Sequence, residues 1–141
     1  MILGVLIVNT SGLTRFAKFY EFVSAACQQD IQRIVYEQLS SREDTKTCNF
    51  ATPQPPSSDS RLIIYQRFAS LYFVVLANQS ESLLGILDII RVFVMALEDC
   101  FPNVCELDIA YNPDKVAMVL AQIVSGGMVI ETNLSRIHPL T

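Results

Sequence analysis

Two carboxylates, Glu106 and Asp108, lie two residues apart, a spacing at which a general acid and a general base could act together. The sequence predicts an extended backbone here, in which both side chains would share one exposed face. Nothing nearby supplies an activated nucleophile, and the chain has neither a Gly-rich phosphate loop nor a Gly-x-Ser-x-Gly elbow. We therefore expect no catalytic residues and a protein that is not an enzyme.

The cysteines and the only histidine form no metal-binding pattern. Cys27, Cys48, Cys100 and Cys105 make no CxxC pair, and His138 lies at no ligand spacing from them. Because no secretory signal is evident, reduced cysteines that pack as small apolar side chains in the cytosol are expected. The sequence thus predicts no metal site and no cofactor.

The composition favours one domain, residues 1–141, that packs against another chain. A chain of this length can bury roughly two-thirds of the surface that it exposes when unfolded. Apolar residues make up 51% and charged residues 17%, so part of the apolar surface is expected to lie under a partner. The net charge of −4 gives no positive field for nucleic acid or anionic lipid, and any membrane contact should be indirect.

The hydrophobic pattern predicts an α+β fold, an antiparallel sheet with helices packed on it, in the order ββα(β)ββαα. The apolar residues 1–8 lack a basic region and a cleavage site, which favours a first strand over a signal peptide. The Pro- and Ser-rich residues 52–60 indicate an exposed loop. The predicted elements are strands at 1–8, 13–20, 61–67 and 71–77, a short strand at 48–50, and helices at 24–41, from about 83 to 101 and from 113 to about 124.

The stretch from Leu83 to Leu97 leaves almost no polar face and predicts a central helix that is buried on most sides. It is too short to cross a bilayer and is interrupted by Asp88 and Arg91. Residues 65–74 and 101–108 each join an apolar element to short polar or small side chains. Such segments suit a shallow pocket on a packed core.

These two segments, with the order of elements and the hairpin residues 15–20, resemble the sigma, or small-chain, subunits of clathrin-adaptor protein complexes. The resemblance covers nearly the whole chain. Four stretches look most like the sigma chains of the third adaptor complex, and they are residues 42–44 with 48–50, the loop that follows, residues 80–88, and residues 126–133.

The resemblance implies a longin-like (SNARE-like) domain with a five-stranded antiparallel sheet flanked by helices. It also implies a heterotetramer of two large adaptins, a medium chain and this small chain, which a large adaptin holds directly. Such complexes serve vesicle-mediated protein transport. They are cytoplasmic and peripheral, on the cytosolic face of Golgi and endosomal membranes and of coated vesicles.

In that family the small chain helps to recognise acidic dileucine sorting signals in the tails of membrane cargo. Two leucines need an apolar pocket, and the upstream acidic residue needs a cation. By matching position, Arg15 would face the acidic residue, and Asn103 would be a polar neighbour of the peptide backbone. The leucine pocket would be lined by Ala69, Leu71, Val94, Val104 and Ile109.

Each of these residues has a simpler interpretation. Ala69, Leu71 and Val94 lie in segments that core packing alone would make apolar. Arg15 could be a solvated hairpin charge, and Asn103 could be a turn residue. Gln66 stands where relatives often carry a basic residue, which would weaken the attraction for acidic cargo. Met95 likewise replaces a commonly acidic residue.

Two other assignments keep the same fold. A zeta-type small subunit of coatomer is the main alternative, although residues 103–108 favour the adaptor family. The regulatory domain of a trafficking SNARE would be followed by a heptad helix and usually an anchor, and the 141 residues contain neither pattern.

Overall fold

A computed structural model describes residues 2–20, 25–40, 49–51, 61–78, 81–101, 104–132 and 137. Within these residues five strands form one antiparallel sheet, and two short strands form a separate hairpin. The elements are β1 (Ile2–Asn9), β2 (Thr14–Phe19), α1 (Ala25–Ser40), β3 (Asn49–Ala51), β4 (Arg61–Phe68), β5 (Leu71–Asn78), α2 (Leu83–Cys100), α3 (Glu106–Tyr111), α4 (Pro113–Ile123), β6 (Val124–Ser125) and β7 (Met128–Val129).

The sheet has the strand order β2-β1-β5-β4-β3, so β1 and β5 lie inside it and β2 forms one edge. Strands that are covered on both faces read as continuous apolar runs, because side chains of both parities are buried. Val5 and Ile7 of β1 belong to one hydrophobic cluster, whereas Leu6 and Val8 belong to another. This explains why β1 shows no alternation in sequence.

The two clusters lie on opposite faces of the sheet and differ in size. The larger one joins one face of the sheet to α2, Ile109 of α3 and α4. The smaller one includes Leu6, Val8 and Val74 of the sheet, and Val35 of α1. Helix α1 therefore covers one face of the sheet, and the other helices cover the opposite face.

Helix α2 provides much of the larger cluster. Ser82 is its N-cap residue, and the Ser82 hydroxyl accepts a hydrogen bond from the Gly85 backbone N–H at 3.4 Å. Eight of its 18 residues are buried. The Phe93 ring packs edge-on against Phe73 of β5, with 5.9 Å between the ring centroids.

The prediction of an extended backbone around Glu106 and Asp108 was wrong, because these residues lie in α3. Six residues are too few to display a helical period, and Leu107 and Ile109 alternate with polar residues as they would in a strand. In a helix, positions two apart point about 200° from one another. Accordingly Leu107 is 57% exposed while Ile109 is fully buried.

The prediction of a five-stranded antiparallel sheet flanked by helices is confirmed. One boundary differs near the end of α4, since Val124 starts β6 rather than continuing the helix. The predicted Pro-rich loop at 52–60 lies outside the described residues. Among those that are described, the structure contains no helix of the length and apolarity needed to cross a membrane.

Leucine-to-alanine changes at two positions of α2 test this packing. Leu97 is fully buried, and its truncation to alanine should lower the free energy of unfolding by about 2–5 kcal/mol because it leaves a cavity. Leu84 is 77% exposed, so the matched Leu84→Ala change should cost no more than about 0.5 kcal/mol. Denaturant unfolding of both variants measures the difference, and equal losses would contradict the described burial.

Candidate ligand-binding site

The turn between β1 and β2 is organised by the side chain of Asn9. Its Oδ1 accepts hydrogen bonds from the backbone N–H groups of Ser11, at 3.0 Å, and Leu13, at 2.8 Å. Gly12 follows with φ of +89°, where a side chain would be strained and would collide with the ring of Tyr36 on α1. The turn is thus held by its own amide and packed against α1.

A β-bulge lies immediately after this turn. Ile7 pairs with Phe16, but the next residue of β1, Val8, pairs with Thr14, so Arg15 has no partner in the ladder. A bulge breaks the alternation of side chains and re-aims them. As a result the Arg15 side chain reaches α3, which packs on the side of the sheet where Phe16 is buried.

The partner of Arg15 is Glu106, the first residue of α3. Arg15 Nε donates a hydrogen bond to Glu106 Oε1 at 2.6 Å, and Asn9 Nδ2 donates to the same oxygen at 2.7 Å. The side chains of Arg15 and Glu106 are 29% and 26% exposed, so the ion pair is partly shielded from water. The three residues join the hairpin to α3.

The surroundings of Glu106 favour its ionised form. The hydrogen bond from Asn9 and then that from Arg15 hold the pKa of the carboxyl below its ordinary value of 4.5. Glu106 and Asp108 therefore do not form the acid and base pair that their spacing allowed. Asp108 instead accepts a hydrogen bond from the Cys105 thiol, with 3.2 Å between Sγ and Oδ2.

The structure describes all of the predicted leucine-pocket residues, and most of them belong to or pack against the core. Leu71, Val94 and Ile109 are buried members of the larger cluster, and the half-buried Val104 packs against it. Ala69 is exposed in the turn between β4 and β5, with φ of +55°. Asn103 lies outside the described residues. Three of these side chains are thus part of the packed core, and Val104 packs at its margin.

A cavity of about 500 Å³ lies elsewhere, between β2 and α4. Its lining includes Lys18, Tyr20, Met118 and Ser125, and none of the predicted site residues. Burial raises the pKa of Tyr20 from its ordinary value of 10.0 to about 12, so the shift affects its protonation only in strongly alkaline solution.

Sequence reasoning found Arg15 but not its two partners. The Glu106 side chain was considered as a candidate catalytic carboxylate, and Asn9 falls between the two predicted strands of the hairpin. The ion pair of Arg15 and Glu106 joins residues 91 positions apart, which no local pattern reveals.

Two residues were noted above as departures from the family pattern. Gln66 is half-buried in β4, and Met95 is exposed with its sulfur 3.5 Å from Arg91 Nη1. Cys100 is half-buried, whereas Cys105 is exposed and so does not pack as the small apolar side chain that was predicted.

A five-stranded antiparallel sheet with helices on both faces defines a small longin-like domain. The family described as the clathrin adaptor complex small chain matches residues 1–139. The chain therefore belongs to the clathrin adaptor small-chain family. Because this is a family of adaptor subunits, the expectation of a non-enzymatic protein is confirmed.

Several relatives are described as sigma subunits of AP-3 complexes. The AP-3 complex subunit sigma of Schizosaccharomyces pombe is 44% identical over 137 residues, which cover 97% of this chain and 82% of the relative. The human AP-3 complex subunit sigma-2 is 44% identical over 139 residues, covering 97% and 71%. The Arabidopsis thaliana AP-3 complex subunit sigma is 42% identical, covering 97% and 82%.

A structural comparison agrees with these relatives. A chain of a structure described as a homology model of the full-length AP-3 complex in a stretched open conformation matches with a TM-score of 0.76. The two chains are 38% identical, and the match covers 97% of this chain and 89% of the other. These relatives favour the adaptor assignment over the coatomer alternative.

The Glu106 cluster can be tested by titration. Carboxyl NMR should give Glu106 a pKa below 4.5, and Asn9→Ala should raise it because the largest stabilising hydrogen bond is lost. Asn112→Ala is the control, since the Asn112 amide donates to the Asp108 carbonyl instead. A pKa that is unaffected by Asn9→Ala would contradict the assignment.

The contribution of Glu106 to stability depends on pH with a defined sign. Because folding lowers the pKa of the Glu106 carboxyl, its ionised form stabilises the fold above pH 4.5. This contribution to the free energy of unfolding is lost as the pH falls through the lowered pKa.

Proposed function

We propose that this chain is the small subunit of an AP-3-type heterotetrameric adaptor complex in vesicle-mediated protein transport. The observation that carries the proposal is the sequence identity of 42–44% to sigma subunits of AP-3 complexes over nearly the whole chain. The unit proposed is one longin-like domain over residues 1–141. It would be held directly by a large adaptin, with a medium chain and a second large adaptin completing the complex.

The exposed apolar side chains support a partner chain. Tyr111 of α3, Met118 of α4, and Met128 and Ile130 at the final hairpin are all exposed. Methionine and tyrosine are common in the buried centres of protein interfaces, and exposed apolar surface mixed with few charges favours association. A large adaptin covering part of this surface would remove it from water.

Copurification tests the assembly. The tagged chain, expressed in cells of its source organism, should retain a large adaptin after stringent washing. Mass spectrometry of the purified complex should also find a medium chain and a second large adaptin. Substituting Met128 and Ile130 with aspartate should weaken retention if the final hairpin lies in the interface. Recovery of the tagged chain without any adaptin would contradict the proposal.

We further propose that the assembled subunit contributes to binding acidic dileucine signals. Leu71, Val94 and Ile109 are buried in the same hydrophobic cluster, Val104 packs against it, and Arg15 lies on the β1–β2 hairpin. In the assembled subunit the three buried side chains would form an apolar floor, and Arg15 would supply the cation. Ala69 would form the turn beside the pocket, and Asn103 would contact the peptide backbone. A pocket over such buried side chains would be shallow.

The apolar pocket and Arg15 would contribute differently to the free energy of peptide binding. Burial of each ligand leucine can contribute roughly 1.5–3 kcal/mol, whereas a partly exposed ion pair contributes about 1 kcal/mol or less. The apolar pocket would therefore provide most of the affinity, and Arg15 would discriminate acidic from neutral peptides. The complex would work on the cytosolic face of Golgi and endosomal membranes, with membrane contact made through its other subunits.

A charge-matched peptide pair tests the role of Arg15. The assembled large and small pair should bind an acidic dileucine peptide about two- to fivefold more tightly than the same peptide with glutamine at the acidic position. Arg15→Ser should abolish that preference while leaving the neutral peptide nearly unaffected. Calorimetry measures both affinities.

Arg33→Ser provides the control for charge. Arg33 lies on α1, on the opposite face of the sheet, and forms an exposed ion pair with Glu37. This variant should keep the peptide preference. Equal preferences in Arg15→Ser and the unmodified pair would remove Arg15 from the site. Val94→Asp is a poor test here, because it would bury a charge in the core.

A further inference from the structure

The cation proposed to meet the ligand already has a carboxylate partner inside the chain. Glu106 accepts from Arg15 Nε at 2.6 Å, and Asn9 fixes the same oxygen from the other side at 2.7 Å. The Glu106 backbone begins α3, which is anchored by the fully buried Ile109. The carboxylate is therefore held beside Arg15 by two hydrogen bonds and by its helix.

The contact leaves part of the guanidinium available. Arginine donates through Nε and through both terminal nitrogens. In the part of the chain that the structure describes, the recorded contact of the Arg15 side chain is made through Nε alone. An incoming anion can therefore bind the terminal nitrogens without displacing Glu106, but it then lies close to a second negative charge.

We propose that Glu106 is a specificity-determining residue that competes electrostatically with the acidic residue of the ligand for Arg15. This inference rests on the proposed dileucine-binding function. In the empty site Glu106 neutralises Arg15, and in the bound site it repels the ligand's carboxylate. Partial shielding from water strengthens both effects relative to a fully exposed pair.

The competition has a consequence for ligand choice. It reduces the preference for an acidic over a neutral residue upstream of the leucines, so the apolar contacts govern which peptides bind. A Glu106 with only a structural role would instead affect acidic and neutral peptides equally. A Glu106 that only orients Arg15 would increase the preference for the acidic peptide.

The test uses the assembled large and small pair and two dileucine peptides that differ only by glutamate or glutamine at the acidic position. Glu106→Gln keeps an oxygen that can accept from Arg15 but removes the charge. At about 50 mM salt, where screening is weak, the pair that carries this substitution should bind the acidic peptide about two- to fivefold more tightly. Its affinity for the neutral peptide should not change.

Two further variants make the result specific. Glu37→Gln removes a glutamate that also pairs with an arginine, on the opposite face of the sheet, and should change neither affinity. Glu106→Ala removes the charge together with the acceptor, and it replaces Glu106→Gln if that variant fails to assemble. It should also increase the preference for the acidic peptide.

The outcomes separate this inference from the proposed function. If Arg15→Ser abolishes the acidic preference but neither Glu106 variant increases it, competition by Glu106 is refuted and the function stands. A decrease of the preference in Glu106→Ala would assign Glu106 an orienting role and would also refute competition. If Arg15→Ser leaves the preference intact, Arg15 is not the cation of the site, and the proposed charge recognition on which this inference rests fails as well.

Discussion

The structure depends on the burial of α2 against one face of the sheet. Phe93 packs edge-on against Phe73 at the centre of that contact, and the buried residues of α2 extend it along the helix. Because interiors are close-packed, α4 and Ile109 of α3 must fit the surface that remains. The position of α3, and with it that of Glu106, therefore follows from how α2 covers the sheet.

A second constraint connects this core to the edge of the sheet. Strand β2 pairs on one side only, and its bulge turns Arg15 towards α3. The Asn9 amide holds the turn through Oδ1 and the Glu106 carboxylate through Nδ2. One short side chain thereby couples the hairpin to the helix. These contacts fix the position of α3 relative to the hairpin, although the two are distant in sequence and α3 is short.

The sequence predicted elements whose pattern is long and missed those that depend on distant contacts. An apolar run from Ile2 to Val8 makes up all of β1 except Asn9, and the apolar face of α2 repeats over several turns, so the sequence predicted the burial of both elements. Helix α3 has six residues, too few to show its period. The bulge leaves no mark in the alternating hairpin pattern. Arg15 was identified through family resemblance, but its ion pair with Glu106 required the fold.

The loss of hydration at a partly shielded cation would account for a competing carboxylate beside the cation of such a site. A partly shielded guanidinium loses hydration, and a carboxylate supplied by the chain compensates that loss when no ligand is present. The compensation persists when a ligand approaches, so the net attraction for an anion is smaller than that of a bare arginine. In the proposed site, apolar contacts over the buried Leu71, Val94 and Ile109 would be free of this opposition, because they would gain from the removal of water alone. A site built in this way would separate affinity from charge selectivity, the first set by the apolar floor and the second by the balance between Arg15 and Glu106.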